Sequence, residues 1–371
     1  MSVRLTSLSI RGYKTICDLT SFVPRPVNVF IGANGAGKTN LISFFRLFSW
    51  MITPPGNLQK HVGLMGGAGA LLHDGPKKTP QIEAELTLST EAGENDYAFR
   101  LAYAAEDTLI FVDERYRFSR HGIPGKREWT NLGAGHREAG IIQKAEKGDR
   151  EAGVILGFLK QSRVHQFHDT SWNSRIRGRW DADDNFALKE DAANLGPFLL
   201  NLQRARPEYY QRIVETVRFV LPFFADFELE PENGTVLLRW REMGSDQVFG
   251  ASQASDGMLR VMALVALLGQ PEERLPEILV LDEPELGLHP HAIGVVAGML
   301  RSASEHVQVF VATQSQAFVD QFEPEDIVVV DREGRESRFH RLNASELGEW
   351  LQDYSVSELW EKNVLGGGPG S

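Results

Sequence analysis

Residues 28–45 read NVFIGANGAGKTNLISFF, and this stretch decides the fold. An apolar run is followed by glycines, then by a lysine and a threonine, and then by apolar residues at helical spacing. Within it, Gly32–Thr39 (GANGAGKT) satisfies the pattern G-x-x-x-x-G-K-[ST]. Glycines let the backbone wrap closely around phosphates, and the start of a helix adds a positive dipole end. The stretch therefore predicts a strand, a phosphate-binding loop and a helix.

The residue types of this loop suit a nucleoside triphosphate. Lys38 is placed to reach the β- and γ-phosphates, and the Thr39 hydroxyl is a ligand for Mg²⁺. A glycine-rich turn without a ligand is the alternative, and the strand-before, helix-after context disfavours it. The candidate nucleotide-binding residues here are Asn34, Gly35, Ala36, Gly37, Lys38, Thr39 and Asn40.

A second motif, EILVLDEPELGLHP at residues 277–290, places Asp282 and Glu283 at the end of an apolar strand. Adjacent carboxylates at a buried strand end are costly unless a cation or ligand neutralises them. We expect Asp282 to hold Mg²⁺, and Glu283 to act as the general base for the attacking water. The alternative is a strand that ends in a polar turn before Pro284.

A third motif, QASDGMLRVMALVALL at residues 253–268, has a Ser-Asp-Gly at the start of a helix. Ser255 offers a hydroxyl, Asp256 a capping carboxylate, and the helix start exposes N–H groups that suit an anion. Alone, such a sequence is usually an N-cap; upstream of the acidic strand it predicts a second phosphate-contacting tip, with Gly257 as its third member.

The rest of the chain alternates short apolar strands with helical segments, which indicates a mainly parallel sheet. We expect a single bilobed α/β domain in three parts: an N-terminal lobe (1–118), an insertion and helical segment (119–215), and a C-terminal lobe (216–371). The alternation in VRLTSLSIRGYKTI predicts an edge strand. The polar stretch from Ser119 to Leu156 predicts a surface insertion.

The composition of the chain limits the kinds of binding site and cellular location that we expect. The 371 residues are 42% hydrophobic with a net charge of −11, so any nucleic-acid site must be a local patch. Cys17 is the only cysteine, which excludes an internal disulfide. A signal peptide and an apolar membrane span are not apparent, so we expect a cytoplasmic protein with no membrane partner.

The order of these motifs resembles that of ABC-class ATPases. Over nearly the whole chain, the sequence is similar to RecF-like and OLD-like ATPases, relatives of SMC heads. The segments that carry the resemblance are IRGYKTI, GANGAGKTNLISFF, FHDTS, NLGPFL, ASDGMLR, DEPELGLHP, ATQSQAFVDQFEPEDIVVV and WLQDYSVSELWEKNVLGG. The resemblance implies a P-loop head of ABC type, with a parallel core sheet, an antiparallel β-lobe and a helical lobe. It also implies ATP and Mg²⁺ as ligands.

The resemblance assigns further roles. Ser255 and Gly257 match the signature that closes on the γ-phosphate of the other subunit in a homodimer, and residues 286–290 match the loop between the two sites. Lys14 resembles a basic residue near the nucleotide, although an exposed turn lysine is an equal alternative. His168 resembles the residue of the lobe-connecting loop, with Gln166 as the rival.

The chain departs from the ABC pattern at Gln314, where many such ATPases have a histidine. Glutamine can orient a phosphate but carries no ionisable proton. We therefore expect a catalytic contribution from Gln314 and slow hydrolysis, below ~1 s⁻¹.

The resemblance implies an ATP-driven dimer that acts as a switch for a separately encoded nuclease or toxin in anti-phage defence. A RecF-like DNA-binding ATPase in recombination or repair is the alternative; ELGLHP and the terminal segment argue against a transporter subunit. No heptad run and no nuclease metal cluster are apparent, and His289 and His291 lack a third zinc ligand.

A DNA contact, if present, is expected at residues 172–180, where arginines alternate with tryptophans. The alternative is a basic loop that pairs with the acidic residues after it, Asp181, Asp183 and Asp184. The residues of the patch are Trp172, Arg175, Arg177, Arg179 and Trp180.

Overall fold

The computed structural model describes residues 3–52, 57–348 and 350–368. Its strands are β1 Arg4–Tyr13, β2 Ile16–Phe22, β3 Val27–Ile31, β4 Gln81–Thr90, β5 Gly93–Ala104, β6 Thr108–Arg120, β7 Thr130–Gly133, β8 Ser162–His165, β9 Arg179–Asp181, β10 Phe224–Phe227, β11 Thr235–Leu237, β12 Arg239–Glu242, β13 Val248–Gly250, β14 Ile278–Asp282, β15 Gln308–Ala312, β16 Ile327–Glu333 and β17 Glu336–Arg341. Its α-helices are α1 Lys38–Ile52, α2 Asn57–Leu64, α3 Ala68–Leu71, α4 Gly140–Glu146, α5 Arg150–Lys160, α6 Leu195–Ala205, α7 Pro207–Val220, α8 Asp256–Leu268, α9 Pro290–Ala303, α10 Gln316–Val319, α11 Ala344–Leu347, α12 Trp350–Asp353 and α13 Val356–Glu361.

The central sheet has the order β17-β16-β3-β15-β14-β8. All neighbours in it are parallel except β16 and β17. Every residue of β3, β14 and β15 is buried, as expected for parallel strands covered on both faces. The predicted α/β fold with a mainly parallel core sheet is therefore confirmed.

Alternate residues of these central strands enter two separate hydrophobic cores. In β3, Val29 packs with the helical lobe and Phe30 packs with the antiparallel lobe; Leu279 and Val280 of β14 divide in the same way. The sheet thus lies between the two lobes and holds them together.

The phosphate loop follows β3, Asp282 ends β14, and Gln314 comes shortly after β15. Because β3, β15, β14 and β8 are parallel neighbours, their carboxyl ends meet at one edge of the sheet. The fold therefore collects at this edge motifs that are far apart in the sequence.

The antiparallel lobe is a second sheet with the order β2-β1-β4-β5-β6-β7. The predicted edge position of the first strand is wrong, since β1 lies between β2 and β4. Alternation reports that the two faces of a strand differ in burial, and it does not report how many strands flank it.

The predicted surface insertion at residues 119–156 is also wrong in part. From α4 onward, the segment packs into the core of the antiparallel lobe, with Ile141, Ile155 and Leu156 buried. The buried Glu114 carboxylate accepts hydrogen bonds from the backbone N–H groups of Gly140 and Ile141 at the start of α4. Short helices rich in glycine and charge hide the apolar period, which explains the error.

The helical lobe contains α6 to α9 and two small sheets, β10-β12-β13 and β9-β11. The helices α6 and α7 are separate, because the chain leaves helical geometry at Arg206 and Pro207 begins α7. In the described ranges, no helix is long and apolar enough to cross a bilayer. The three-part division of the chain stays a prediction.

Candidate nucleotide site

The phosphate loop has the geometry that its sequence predicts. Gly37 adopts φ 116°, and a side chain there would collide with the hydroxyls of Thr15 and Ser337. Nζ of Lys38 donates to the carbonyl oxygens of Gly32 and Ala33 at 2.6 and 3.1 Å. Burial lowers the pKa of Lys38, and nearby carboxylates oppose this shift. The lysine is thus held inside the loop, at the carboxyl end of β3.

Three carboxylates face Lys38 from the next elements of the sheet edge, those of Asp282, Glu283 and Glu285. Asp282 and Glu285 are 5% and 7% exposed, and Oε2 of Glu285 has no hydrogen-bond partner among the described residues. Burial raises the pKa of both Asp282 and Glu285, and the charge of Glu283 adds to each shift. Three carboxylates against two cations, Lys38 and Arg46, leave negative charge that a divalent cation fits. Asp282 and the exposed Thr39 would supply the ligands to Mg²⁺.

Gln166 and His168 both contact Asp282, but at different atoms. Nε2 of Gln166 donates to Oδ2 of Asp282 at 3.1 Å. Nε2 of His168 lies 2.9 Å from the backbone oxygen of Asp282, and its Nδ1 lies 3.0 Å from Nε2 of Gln166. An imidazole protonated on Nε2 satisfies both contacts. The geometry therefore favours Gln166, the rival residue, over His168 as the residue that contacts the Asp282 carboxylate.

Glu283 has a strained backbone. Its φ is 42°, which is uncommon for a residue with a side chain, and its N–H donates to the Ala312 carbonyl at 2.8 Å. Nε2 of Gln314 donates to Oε1 of Glu283 at 2.6 Å. Pairing of β14 with β15 places these two residues side by side, as a catalytic pair requires.

The Ser-Asp-Gly tip begins α8 as predicted. Oγ of Ser255 accepts a hydrogen bond from the Met258 N–H at 3.3 Å, and Asp256 pairs with Arg177 at 3.0 Å. In the described parts of the chain, neither Ser255 nor Asp256 hydrogen-bonds to the phosphate loop. Gly257 packs against the Gly287 carbonyl, where a Cβ would lie 2.7 Å from the oxygen. The tip is thus fitted to the loop at residues 286–290, and its Ser255 and Asp256 are exposed.

The sequence analysis assigned no role to Arg260, although this residue follows Gly257 by three positions in the same motif. It is 8% exposed and donates to the carbonyls of Phe167, His168 and Leu286 at 3.0, 3.0 and 2.9 Å. A fourth bond goes to Oγ1 of Thr170 at 3.2 Å. One guanidinium therefore joins α8 to the loop after β8 and to the loop after β14.

Lys14 lies beside α1. Its Nζ donates to Oγ of Ser43 at 3.1 Å, and Nδ2 of Asn40 donates to Oγ1 of the adjacent Thr15 at 2.7 Å. Burial lowers the pKa of Lys14, and Arg46 adds to this shift. A nucleotide role for Lys14 stays a prediction.

A cavity of about 500 Å³ opens beside the phosphate loop, a size suited to part of a nucleotide. Its lining includes Asn34, Gln314, Arg332 and Trp360, and NH1 of Arg332 donates to the Gly35 carbonyl at 3.0 Å. Arg332 belongs to none of the sequence motifs, and Trp360 lies in the C-terminal segment WLQDYSVSELWEKNVLGG, so only the folded chain brings them to the site.

The three arginines of the predicted DNA patch are ion-paired, but with other acids than expected. Arg175 pairs with Asp191 at 2.8 Å, Arg177 with Asp256, and Arg179 with Glu232 at 2.6 Å. Arg175 also stacks over Trp180 at 4.6 Å. DNA binding through this patch stays a prediction.

The parallel sheet, with a phosphate loop and an acidic strand end at one edge, has the P-loop fold of SMC heads. The structure is similar to the crystal structure of an SMC head bound to the C-terminal winged-helix domain of ScpA, with a TM-score of 0.60, 15% identity, and coverage of 94% of this chain and 99% of that one. It is also similar to the SMC head with an extended coiled coil bound to the C-terminal domain of ScpA from Pyrococcus furiosus, with a TM-score of 0.58, 13% identity, and coverage of 95% and 99%. At such identity these likenesses show the fold.

The chain belongs to the family described as "AAA domain, putative AbiEii toxin, Type IV TA system", whose pattern matches residues 27–320. It is 23% identical over 354 residues to the Old nuclease of Escherichia phage P2. That match covers 86% of this chain and 58% of the phage protein, so the chain spans less than two thirds of this relative.

Proposed function

We propose that this protein hydrolyses ATP slowly in a head-to-head dimer that ATP assembles and hydrolysis releases. One observation supports this most directly. The phosphate loop, Asp282, Glu283 and Gln314 gather at one sheet edge, while the Ser255 tip is exposed and hydrogen-bonds elsewhere within the same chain. A second copy would bring its own tip to the phosphates.

In this mechanism the Glu283 carboxylate takes a proton from the water that attacks the γ-phosphorus, and the bond to the β–γ bridging oxygen breaks. The products are ADP and phosphate, to which the proton is returned. Gln314 holds Glu283 through its amide, and Lys38 stabilises charge on the phosphates. Mg²⁺ at Thr39 and Asp282 would neutralise phosphate charge.

The test is trans-complementation. We expect Lys38→Ala and Ser255→Arg to be inactive alone, because each loses one half of every site. Mixed, they form heterodimers with one intact site, built from Lys38 of the second variant and Ser255 of the first, so activity returns.

The matched control mixes Lys38→Ala with Glu283→Gln. Lys38 and Glu283 serve the same site from the same chain, so no heterodimer regains a complete site and activity stays absent. Rescue in the control, or no rescue in the first mixture with both variants folded, contradicts the composite site.

We further propose that the ATP-bound dimer is read by a separately encoded nuclease or toxin in anti-phage defence. The description of the family and the name of the phage relative support this step by analogy. A neighbouring gene product should co-purify with the ATP-bound Glu283→Gln variant and not with Lys38→Ala. Equal recovery with both variants argues against a nucleotide-gated partner.

The alternative is a RecF-like DNA-binding ATPase, and the existing ion pairs of the arginine patch do not favour it. ATP-strengthened, salt-sensitive DNA binding that is lost in an Arg175→Glu, Arg179→Glu variant would restore it.

A further inference from the structure

The single cysteine of the chain lies in a cluster with a histidine and a glutamate. Cys17 in β2, His73 after α3 and Glu336 at the start of β17 each offer one ligand atom, and these atoms lie within 4.8 Å of one another. The three residues are far apart in the sequence and come from separate elements. No motif predicts this cluster, because only the fold assembles it.

His73 is held in the way that metal-binding histidines usually are. It is 7% exposed, and its Nδ1 lies 2.7 Å from the Lys14 carbonyl, to which it donates. This bond fixes the tautomer and leaves Nε2 with a free lone pair. Nε2 has no hydrogen-bond partner among the described residues, so a ring nitrogen is available at the cluster.

The other two ligands are accessible from solvent. Cys17 is half-buried, and Arg338 donates to Oε2 of Glu336 at 2.9 Å, which leaves the second carboxylate oxygen available. Zn–S bonds are about 2.3 Å and Zn–N bonds about 2.0–2.1 Å, so tetrahedral ligands lie roughly 3.3–3.6 Å apart. A closure of about 1 Å therefore completes the coordination, and the exposed side leaves room for a water.

We propose that Cys17, His73 and Glu336 bind one divalent transition-metal ion of the zinc type, with water as the fourth ligand. The set of one sulfur, one imidazole and one carboxylate suits zinc and its congeners, and does not suit Mg²⁺. Binding releases the thiol proton to solvent. The site is separate from the carboxylates that face Lys38.

The cluster is connected to the phosphate loop by hydrogen bonds of neighbouring residues. Ser337, next to Glu336, donates from its hydroxyl to the Ala36 carbonyl and from its N–H to the Thr15 carbonyl at 2.8 Å. Thr15 in turn accepts from Asn40 of α1. A metal here would connect β2 of the antiparallel lobe to β17 of the central sheet, next to a residue that hydrogen-bonds to the phosphate loop.

The alternative is that Cys17 and Glu336 form a hydrogen-bonded pair without a metal. Partial burial, together with the charge of Glu336 and a hydrogen bond to it, raises the pKa of Cys17 and favours the neutral thiol. A metal ion must displace that proton, so binding should weaken as the pH falls.

The test uses the full chain, reduced with a phosphine and freed of metal, and titrated with Co²⁺. We expect one equivalent to produce a thiolate-to-cobalt charge-transfer band together with four-coordinate d–d bands, and Zn²⁺ to displace both. Cys17→Ser should lose the charge-transfer band. His73→Gln and Glu336→Gln should each weaken binding about tenfold or more.

Two controls separate this site from others. His340→Ala, on an exposed position of the same strand, should bind Co²⁺ like the wild type. Asp282→Asn should keep the charge-transfer band, because the nucleotide site has no thiol. Absence of the band in folded wild-type protein overturns the proposal. So does unchanged affinity in His73→Gln and Glu336→Gln, which would indicate adventitious binding to a lone thiol.

Discussion

Nε2 of Gln166 donates a hydrogen bond to Oδ2 of Asp282 at 3.1 Å, across the boundary between β8 and β14. The amide oxygen of Gln166 accepts from NH2 of Arg46 at 3.0 Å, so the glutamine also reaches α1. This one side chain therefore links Asp282, the proposed magnesium ligand, to the helix that follows the phosphate loop.

Gln166→Ala should raise the Mg²⁺ concentration needed for half-maximal ATP hydrolysis about 10–100-fold, the usual effect of losing a partner that orients a metal ligand. His168→Ala should have a smaller effect, because His168 contacts Asp282 at the backbone oxygen and Gln166 contacts it at the carboxylate. Mg²⁺ titrations of ATPase activity measure both. The reverse order of effects would assign the role to His168.

The sequence predicted which residues gather at this site better than it predicted the contacts between them. GANGAGKT and LDEP specify both residue types and local geometry, because few other sequences make such turns. The parallel order of the strands then follows from the alternation of strands and helices. The choice between Gln166 and His168 depends on where a loop places two side chains, which no periodicity encodes.

Other features depend on contacts between distant segments. Arg260 bonds to carbonyls of two loops, and Trp360 lines the cavity beside the phosphate loop although it is more than 300 residues away in the sequence. The burial of α5 and the central place of β1 were missed for the same reason. Local pattern shows which face of an element is apolar, and tertiary pairing decides what covers it.

Gly257→Ala should impair ATP-dependent dimer formation while leaving ATP binding to the monomer. The added methyl group would approach the Gly287 carbonyl at 2.7 Å, so the tip or the loop at residues 286–290 must shift. Light scattering with ATP in a Glu283→Gln background measures the dimer. The matched control is Gly298→Ala in α9, where no atom lies within 4 Å of the new methyl group and stability should rise slightly. A Gly257→Ala dimer as tight as the control would contradict this prediction.

Arg260→Met should lower the free energy of unfolding by about 2–4 kcal/mol, because several buried carbonyls lose their donor. Arg260→Lys should recover only part of this loss, since an ammonium cannot span the carbonyls of Phe167 and Leu286 together. Urea denaturation of the three proteins measures the order. Equal stability of the Met and Lys variants would mean that the hydrogen bonds contribute little.

Glu283→Gln should reduce hydrolysis by about 10²–10⁴-fold and retain ATP binding, because the variant loses the base and keeps the phosphate loop. Gln314→Ala should reduce turnover less, since it removes only the hydrogen bond that positions Glu283. Single-turnover hydrolysis and nucleotide-binding titrations separate the two effects. Unchanged turnover in Gln314→Ala would show that this residue has no catalytic part.

Asp282→Asn should make the protein more stable in the absence of Mg²⁺ and nucleotide, by ~1 kcal/mol at neutral pH. Burial and the charge of Glu283 raise the pKa of Asp282 in the folded state, so the folded protein binds its proton more tightly than the unfolded chain does. Wild-type stability should therefore fall as the pH rises through that raised pKa, whereas the amide does not titrate. The advantage of the variant should be smallest below the ordinary aspartate pKa of about 3.9 and reach a plateau above the raised value.

Thermal melts across this pH range measure the difference in stability between Asp282→Asn and the wild type. The exposed Asp246→Asn is a control that should show no such dependence on pH. A wild type as stable as Asp282→Asn at neutral pH would mean that the carboxylate is already compensated within the chain, and the case for a cation at this position would weaken.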